Sequence, residues 1–178
     1  MSAEATGTAG PGASALTGGP PDAVGSEAFE EALGRAYRFL SSRDRTVAEV
    51  RRQLERHGLA EPLIDACVTE LVEQRYLDDE RFAQRFTEDR RHLDGWGGER
   101  IRRRLLELGI APECAERAAS GRATEEELDA AVEVLRRRLR VAPTDQRGRT
   151  RALGLLVRRG YDLELAHDAI RRFADEPD

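Results

Sequence analysis

Val50-Arg-Arg-Gln-Leu54-Glu-Arg-His-Gly58-Leu59 is followed, 51 residues on, by Ile101-Arg-Arg-Arg-Leu105-Leu-Glu-Leu-Gly109-Ile110, and after the same interval by Ala152-Leu-Gly-Leu-Leu156-Val-Arg-Arg-Gly160-Tyr161. Leu54, Leu105 and Leu156 correspond in this register, as do Gly58, Gly109 and Gly160. Each stretch has helical spacing of apolar residues and ends in glycine, the residue that best takes the left-handed conformation after a helix C-cap. A period of 51 with only helical signals fits three short helices per unit.

Working outward, Thr46 and Glu49 form a capping box that opens the second helix of the first unit, and Pro62 suits the first turn of its third. Asp78 opens the second unit, with Leu77 and Phe82 placed as a hydrophobic staple. A glycine-rich loop, Asp94-Gly-Trp-Gly-Gly98, precedes its second helix, and Pro112 begins its third. Thr124 and Glu127 form another capping box, opening a long helix to about Arg140 with an apolar stripe of Leu128, Ala131, Val132, Leu135 and Leu139. Asp145 and Asp162 cap the last two helices. The expected fold is all-α: an elongated tandem array of three three-helix, helix-turn-helix-like repeats over residues 26–77, 78–122 and 123–178. Residues 1–25 hold six of the sixteen glycines and three of the seven prolines, the composition of a disordered tail.

Composition narrows the chemistry. The chain has 178 residues, 39% hydrophobic and 35% charged, and no run near the roughly 18 apolar residues that a spanning helix needs. The first 26 residues lack Arg, Lys and an apolar segment, which argues against a secretory signal or transit peptide, and two cysteines make no disulfide scaffold; a cytoplasmic location is expected. All 29 basic residues are arginine, and asparagine is absent too, a composition that a GC-rich genome explains. Without lysine there is no Walker A motif and no Schiff base. His57, His92, His167, Cys67 and Cys114 lie far apart, without metal-ligand spacing, and the cysteines fall beside core positions such as Ile64 and Val68. Asp78-Asp79-Glu80 reads as an N-cap with acids that the helix dipole favours. No catalytic residue, metal or cofactor is expected, and the chain reads as a non-enzyme.

The net charge of −5 hides a polarity. From Arg136 to Arg159 nine arginines (136, 137, 138, 140, 147, 149, 151, 158 and 159) face one acid, Asp145, whereas residues 27–77 hold eight arginines and ten acids. In a helix-turn-helix reader the second helix of the pair enters the major groove. Here those segments are acidic: Asp65, Glu70 and Glu73 in the first unit, Glu113 and Glu116 beside Arg117 in the second. The arginines lie instead on the second helices and the long helix after Thr124. Glu99–Arg103 and Glu133–Arg137 have the spacing of helical ion pairs, a solvated-face reading that leaves Arg147, Arg149, Arg151, Arg158 and Arg159 without nearby acids. The candidate surface for phosphate or an acidic protein is Arg100, Arg103, Arg104, Arg136, Arg137, Arg147, Arg149, Arg151, Arg158 and Arg159. Trp96, the sole tryptophan, either anchors a partner or a base, or plugs the space between units.

The run Tyr76-Leu-Asp-Asp-Glu-Arg-Phe-Ala83, then Gly97-Gly-Glu-Arg-Ile101, Leu105 and Gly109-Ile110, resembles the signature of the RecX regulatory proteins. The closing Leu155-Leu-Val-Arg-Arg-Gly-Tyr161 is similar to that family's third-unit segment, and the likeness runs from about Glu27 to Phe173. His57 and Leu108 depart from it, standing where the family commonly has basic residues. The resemblance implies a non-enzymatic modulator of the RecA recombinase that lies in the groove of the RecA–DNA filament and restrains strand exchange, ATP hydrolysis and LexA co-proteolysis. The expected partners are the RecA filament and its DNA, with the protein acting as a monomer away from membranes. An independent DNA-binding regulator and a helical-repeat scaffold are the alternatives.

Overall fold

The computed structural model describes residues 26–139 and 141–176, over which the chain forms nine helices and no strand. The tail expected at residues 1–25 and the side chain of Arg140 lie outside the described residues. The first unit comprises α1 (Ser26–Leu40), α2 (Val47–Arg56) and α3 (Glu61–Glu73). The second comprises α4 (Asp79–Asp94), α5 (Gly98–Glu107) and α6 (Pro112–Ala119), and the third α7 (Thr124–Arg138), α8 (Gln146–Arg159) and α9 (Leu163–Ala174). All helix pairs with extensive packing fall within a unit, so the chain is an array of three separately cored bodies.

The 51-residue register is a register of buried positions. Val50 and Leu54 on α2, Ile101 and Leu105 on α5, and Ala152 and Leu156 on α8 are all fully buried. Each lies four residues from its mate, one helical turn along the same face. Gly58, Gly109 and Gly160 close these helices at φ of 76°, 89° and 88°. Thr46 and Glu49 make both halves of the expected capping box, and Asp78, Asp145 and Asp162 cap α4, α8 and α9 as expected. Leu77 belongs to the first core, whereas Phe82 packs on the second, so the two residues serve different units. Cys67 is fully buried in the first core, and that burial pushes its thiol up to about 11. A thiol this poor in thiolate is inert until exposed. Cys67 should therefore resist a disulfide reagent in the native protein and react at the rate at which the first unit opens.

One expected cap is made differently. The residue before α7 is Ala123, with no side-chain cap, and Thr124 is the first helical residue. Glu127 turns away from its own helix and accepts from the Gly98 N–H at 3.1 Å, with Arg122 at 3.6 Å. The reason lies across the unit boundary. Gly97, the N-cap of α5, has no side chain to satisfy the free N–H groups of that helix, and Glu127 supplies the missing acceptor.

The same joint is built twice. Thr46 Oγ1 donates to the carbonyl of Leu108 at 2.8 Å, and 51 residues later the Gly97 N–H donates to the carbonyl of Arg159 at 2.8 Å. The Val47 N–H donates to Asp79 Oδ1 at 2.9 Å, as the Gly98 N–H does to Glu127. In each case the turn that ends the second helix of one unit, with a first-turn acid of that unit, caps the second helix of the unit before it. The turn glycines sit where a side chain would collide: Gly109 against Ala48, and Gly160 against the backbone of Arg100. In the third unit the corresponding Gly148 N–H is capped from within, by Asp145 at 2.7 Å.

Candidate nucleic-acid interface

The ten candidate arginines divide into three groups. Arg104, Arg136 and Arg137 are committed to ion pairs with Glu107 at 2.8 Å, Glu176 and Glu133, the last at 2.7 Å from Arg137. Arg136 is held above the usual guanidinium pKa, chiefly by its hydrogen bond to Glu176. Glu133–Arg137 forms as its spacing predicts, but Glu99 pairs with Arg102 at 3.0 Å instead of Arg103. These contacts are exposed, and such pairs add at most about 1 kcal/mol each.

Arg100 and Arg159 are joint residues. Arg100 Nη1 donates to the carbonyl of Arg158 at 3.0 Å, and Arg159 donates to the carbonyl of Asp94. Burial, and then the positive charges of Arg138 and Arg100, hold Arg159 below the ordinary guanidinium pKa. Tyr161 completes the contact, its hydroxyl 3.3 Å from the carbonyl of Gly95 and its phenol pushed up to about 12 by burial.

Arg103, Arg147, Arg149, Arg151 and Arg158 remain. All are exposed, and none pairs with a carboxylate among the described residues. Four of them are on α8, and helix geometry separates them. Arg147, Arg151 and Arg158, four and seven residues apart, share one face and span about 16 Å. Gly154 lies on that face between them, and a Cβ there would come within 3.0 Å of Arg158 Nη1, so the stripe has no protruding side chain at its middle. Arg149 is on the other side, lining the groove between α8 and α9 with His167 and Arg171.

The third helices offer no comparable surface. On α3, Glu61 and Asp65 are taken by Arg51; on α6, Glu116 by Arg102; on α9, Arg171 by Asp168 and Arg172 by Glu125 and Asp129. Trp96 is half-buried against the second core. It packs edge-on against Phe86 with 6.3 Å between ring centroids, and the Arg100 guanidinium covers its ring at 4.1 Å.

Profiles of the first, second and third three-helix domains of RecX match residues 32–71, 78–118 and 125–170, in that order. The regulatory protein RecX of Mycobacterium sp. (strain JLS) is 31% identical over 86% of this chain and 87% of its own length. The chain belongs to the RecX family. RecX of Thermobifida fusca (strain YX) is 31% identical over 86% of this chain and 85% of the relative. With RecX of Leuconostoc mesenteroides the identity is 27%, over 86% of this chain but 58% of that longer relative. The crystal structure of RecX from Lactobacillus salivarius superposes with a TM-score of 0.74 at 17% identity, covering 83% of this chain and 97% of that one. The all-α RecX fold of three three-helix domains is therefore that of the present chain, a member of a family of regulatory proteins. None of its described helices is long and apolar enough to cross a membrane.

Sequence reasoning missed what the glycines beside Trp96 do in this RecX chain. Gly97 and Gly98 open a helix that has no cap of its own, and the missing cap was the available signal that another unit supplies one. Nor does spacing along the chain reveal that Arg159, unlike its neighbour Arg158, donates to the carbonyl of Asp94, 65 residues away.

Proposed function

We propose that this chain binds the RecA–DNA filament and restrains its recombinase, ATPase and co-protease activities without catalysing a reaction itself. The observation that carries this reading is the α8 stripe: Arg147, Arg151 and Arg158 on one face, with no carboxylate to neutralise them among the described residues. Charges so placed contribute little to folding, within about ±0.5 kcal/mol each. Against phosphate or carboxylate each gives a charge-assisted hydrogen bond of order 1.5–3 kcal/mol. The first unit, by contrast, has more acids than arginines and many of its arginines paired. A row of units with acid at one end and base at the other fixes its direction in a groove lined by protein and DNA, since complementary potentials set register more than affinity.

Docking by the third helix into a DNA major groove is disfavoured, because the charges of α3, α6 and α9 are largely taken up by ion pairs. Binding should therefore depend on the filament. The labelled protein should bind a RecA filament on single-stranded DNA at least tenfold more tightly than the same DNA bare. Equal affinity for the two, with a steep salt dependence on bare DNA, would instead assign an independent DNA-binding role.

A further inference from the structure

Two joints of one backbone design differ in charge. Around the joint of the first and second units, Arg43 pairs with Glu49 at 2.5 Å and Arg85 with Asp44 at 2.9 Å, leaving acid and base near balance. Around the joint of the second and third units, Arg100, Arg138, Arg158 and Arg159 make no ion pair with a described carboxylate. Asp94, the acid in their midst, is taken by Arg90 at 2.5 Å.

Two of these residues, Arg138 and Arg159, line a pocket. Its walls come from the C-terminal ends of α4, α7 and α8: Leu93, Asp94, Gly95, Val134, Arg137, Arg138 and Arg159. Its volume is about 130 Å³. Three helix C-termini meet there, and each contributes roughly half a negative charge, which is the reading in which the arginines merely satisfy dipoles. That total of about −1.5 falls short of the unpaired guanidiniums of Arg138 and Arg159 in the wall and of Arg100 close to Arg159, and Arg159 spends only part of its fork of donors on the carbonyl of Asp94. Arg158, the last residue of the stripe, immediately precedes Arg159 of the pocket wall in the chain.

We propose that the pocket between the second and third units, walled by Arg138 and Arg159, is a phosphate-binding site that receives one phosphate of a nucleic-acid backbone running along the α8 stripe. The proposal rests on the stripe reading above and adds a discrete site at its end. Because the walls belong to two units, an occupied pocket ties them together. Burial and the neighbouring charges of Arg138 and Arg100 already disfavour the charged form of Arg159, a strain that an anion relieves.

Trp96, the sole tryptophan, follows Gly95 of the pocket wall and lies beneath Arg100, so its emission reports on this joint. The test titrates the full-length protein with inorganic pyrophosphate, and separately with a short oligothymidylate, at ionic strength held constant with chloride. A saturable change in Trp96 emission is expected with both. Arg138→Gln, on an exposed side chain outside the joint hydrogen bonds, should weaken pyrophosphate at least tenfold and lower the salt slope of oligothymidylate binding by about one. A response to pyrophosphate but not to the oligomer would make this a site for free phosphates and overturn the backbone path. No saturable response, an equal one in Arg138→Gln, or the same one from poly-glutamate would overturn the phosphate site. Reversing the stripe separates the two readings: if filament binding is unchanged while pyrophosphate still binds, the stripe reading falls and the pocket stands.

Discussion

Gly160→Ala should destabilise the protein by roughly 3–5 kcal/mol, whereas Gly58→Ala should cost only about 1–2 kcal/mol, the ordinary penalty of a left-handed conformation for a residue with a Cβ. Both glycines end a second helix at positive φ, so local conformation alone makes them equivalent. Their surroundings do not. A Cβ on Gly58 meets nothing within 4 Å among the described residues, but one on Gly160 collides with the backbone of Arg100, whose Cα would be 2.8 Å away. Relief requires the joint to part. It would break the bonds from the Gly97 N–H to Arg159 at 2.8 Å and from the Glu99 N–H to Gly160 at 3.1 Å, each worth about 1 kcal/mol, with overpacking added. Denaturant unfolding of the two variants reads the difference directly. Similar losses would mean that the units meet without being fixed by their turns.

Charge reversal of the stripe should leave folding nearly intact and impair function. The triple variant Arg147→Glu, Arg151→Glu, Arg158→Glu removes no ion pair among the described residues, so its midpoint of thermal unfolding should stay within a few degrees of the wild type. Losing a single charge-assisted contact of order 1.5–3 kcal/mol already weakens binding about tenfold, and three contacts are at stake. At least a tenfold loss of filament inhibition is expected. Arg51 and Arg52 make a poor control, since Arg51 holds Glu61 and Asp65 while Arg52 reaches the carbonyl of Leu108 across the first joint. Arg38 and Arg56, exposed and without an acid partner among the described residues, are better. Their reversal should leave inhibition within about twofold of wild type. If it is the more damaging change, the α8 stripe is only a solvated face.

Most of the fold was legible because it is periodic. Leu54, Leu105 and Leu156 are buried at one position of one repeated helix, and the glycines that follow them take the conformation for which glycine is suited. Caps within a unit, such as Thr46 with Glu49 and Asp145 with Gly148, were legible for the same reason, since donor and acceptor lie three residues apart. The joints were not. Glu127 has the spacing of a capping-box acid, and only the nearness of an uncapped α5, brought by tertiary packing, turns it elsewhere. The candidate site was legible as an excess of charge but not as a surface. The arginine cluster resolves into ion-paired residues on α7, a joint clamp at Arg159, and a stripe on α8, because helix phase and partners distant in sequence decide which guanidinium is free.

The most direct test of filament regulation is a titration of this protein into filaments of its own organism's RecA on single-stranded DNA, read as the rate of ATP hydrolysis. The protein alone should hydrolyse no ATP, the filament rate should fall saturably as it is added, and the stripe variant should need at least ten times more for the same effect. A filament rate that stays unchanged at saturating protein would contradict the account.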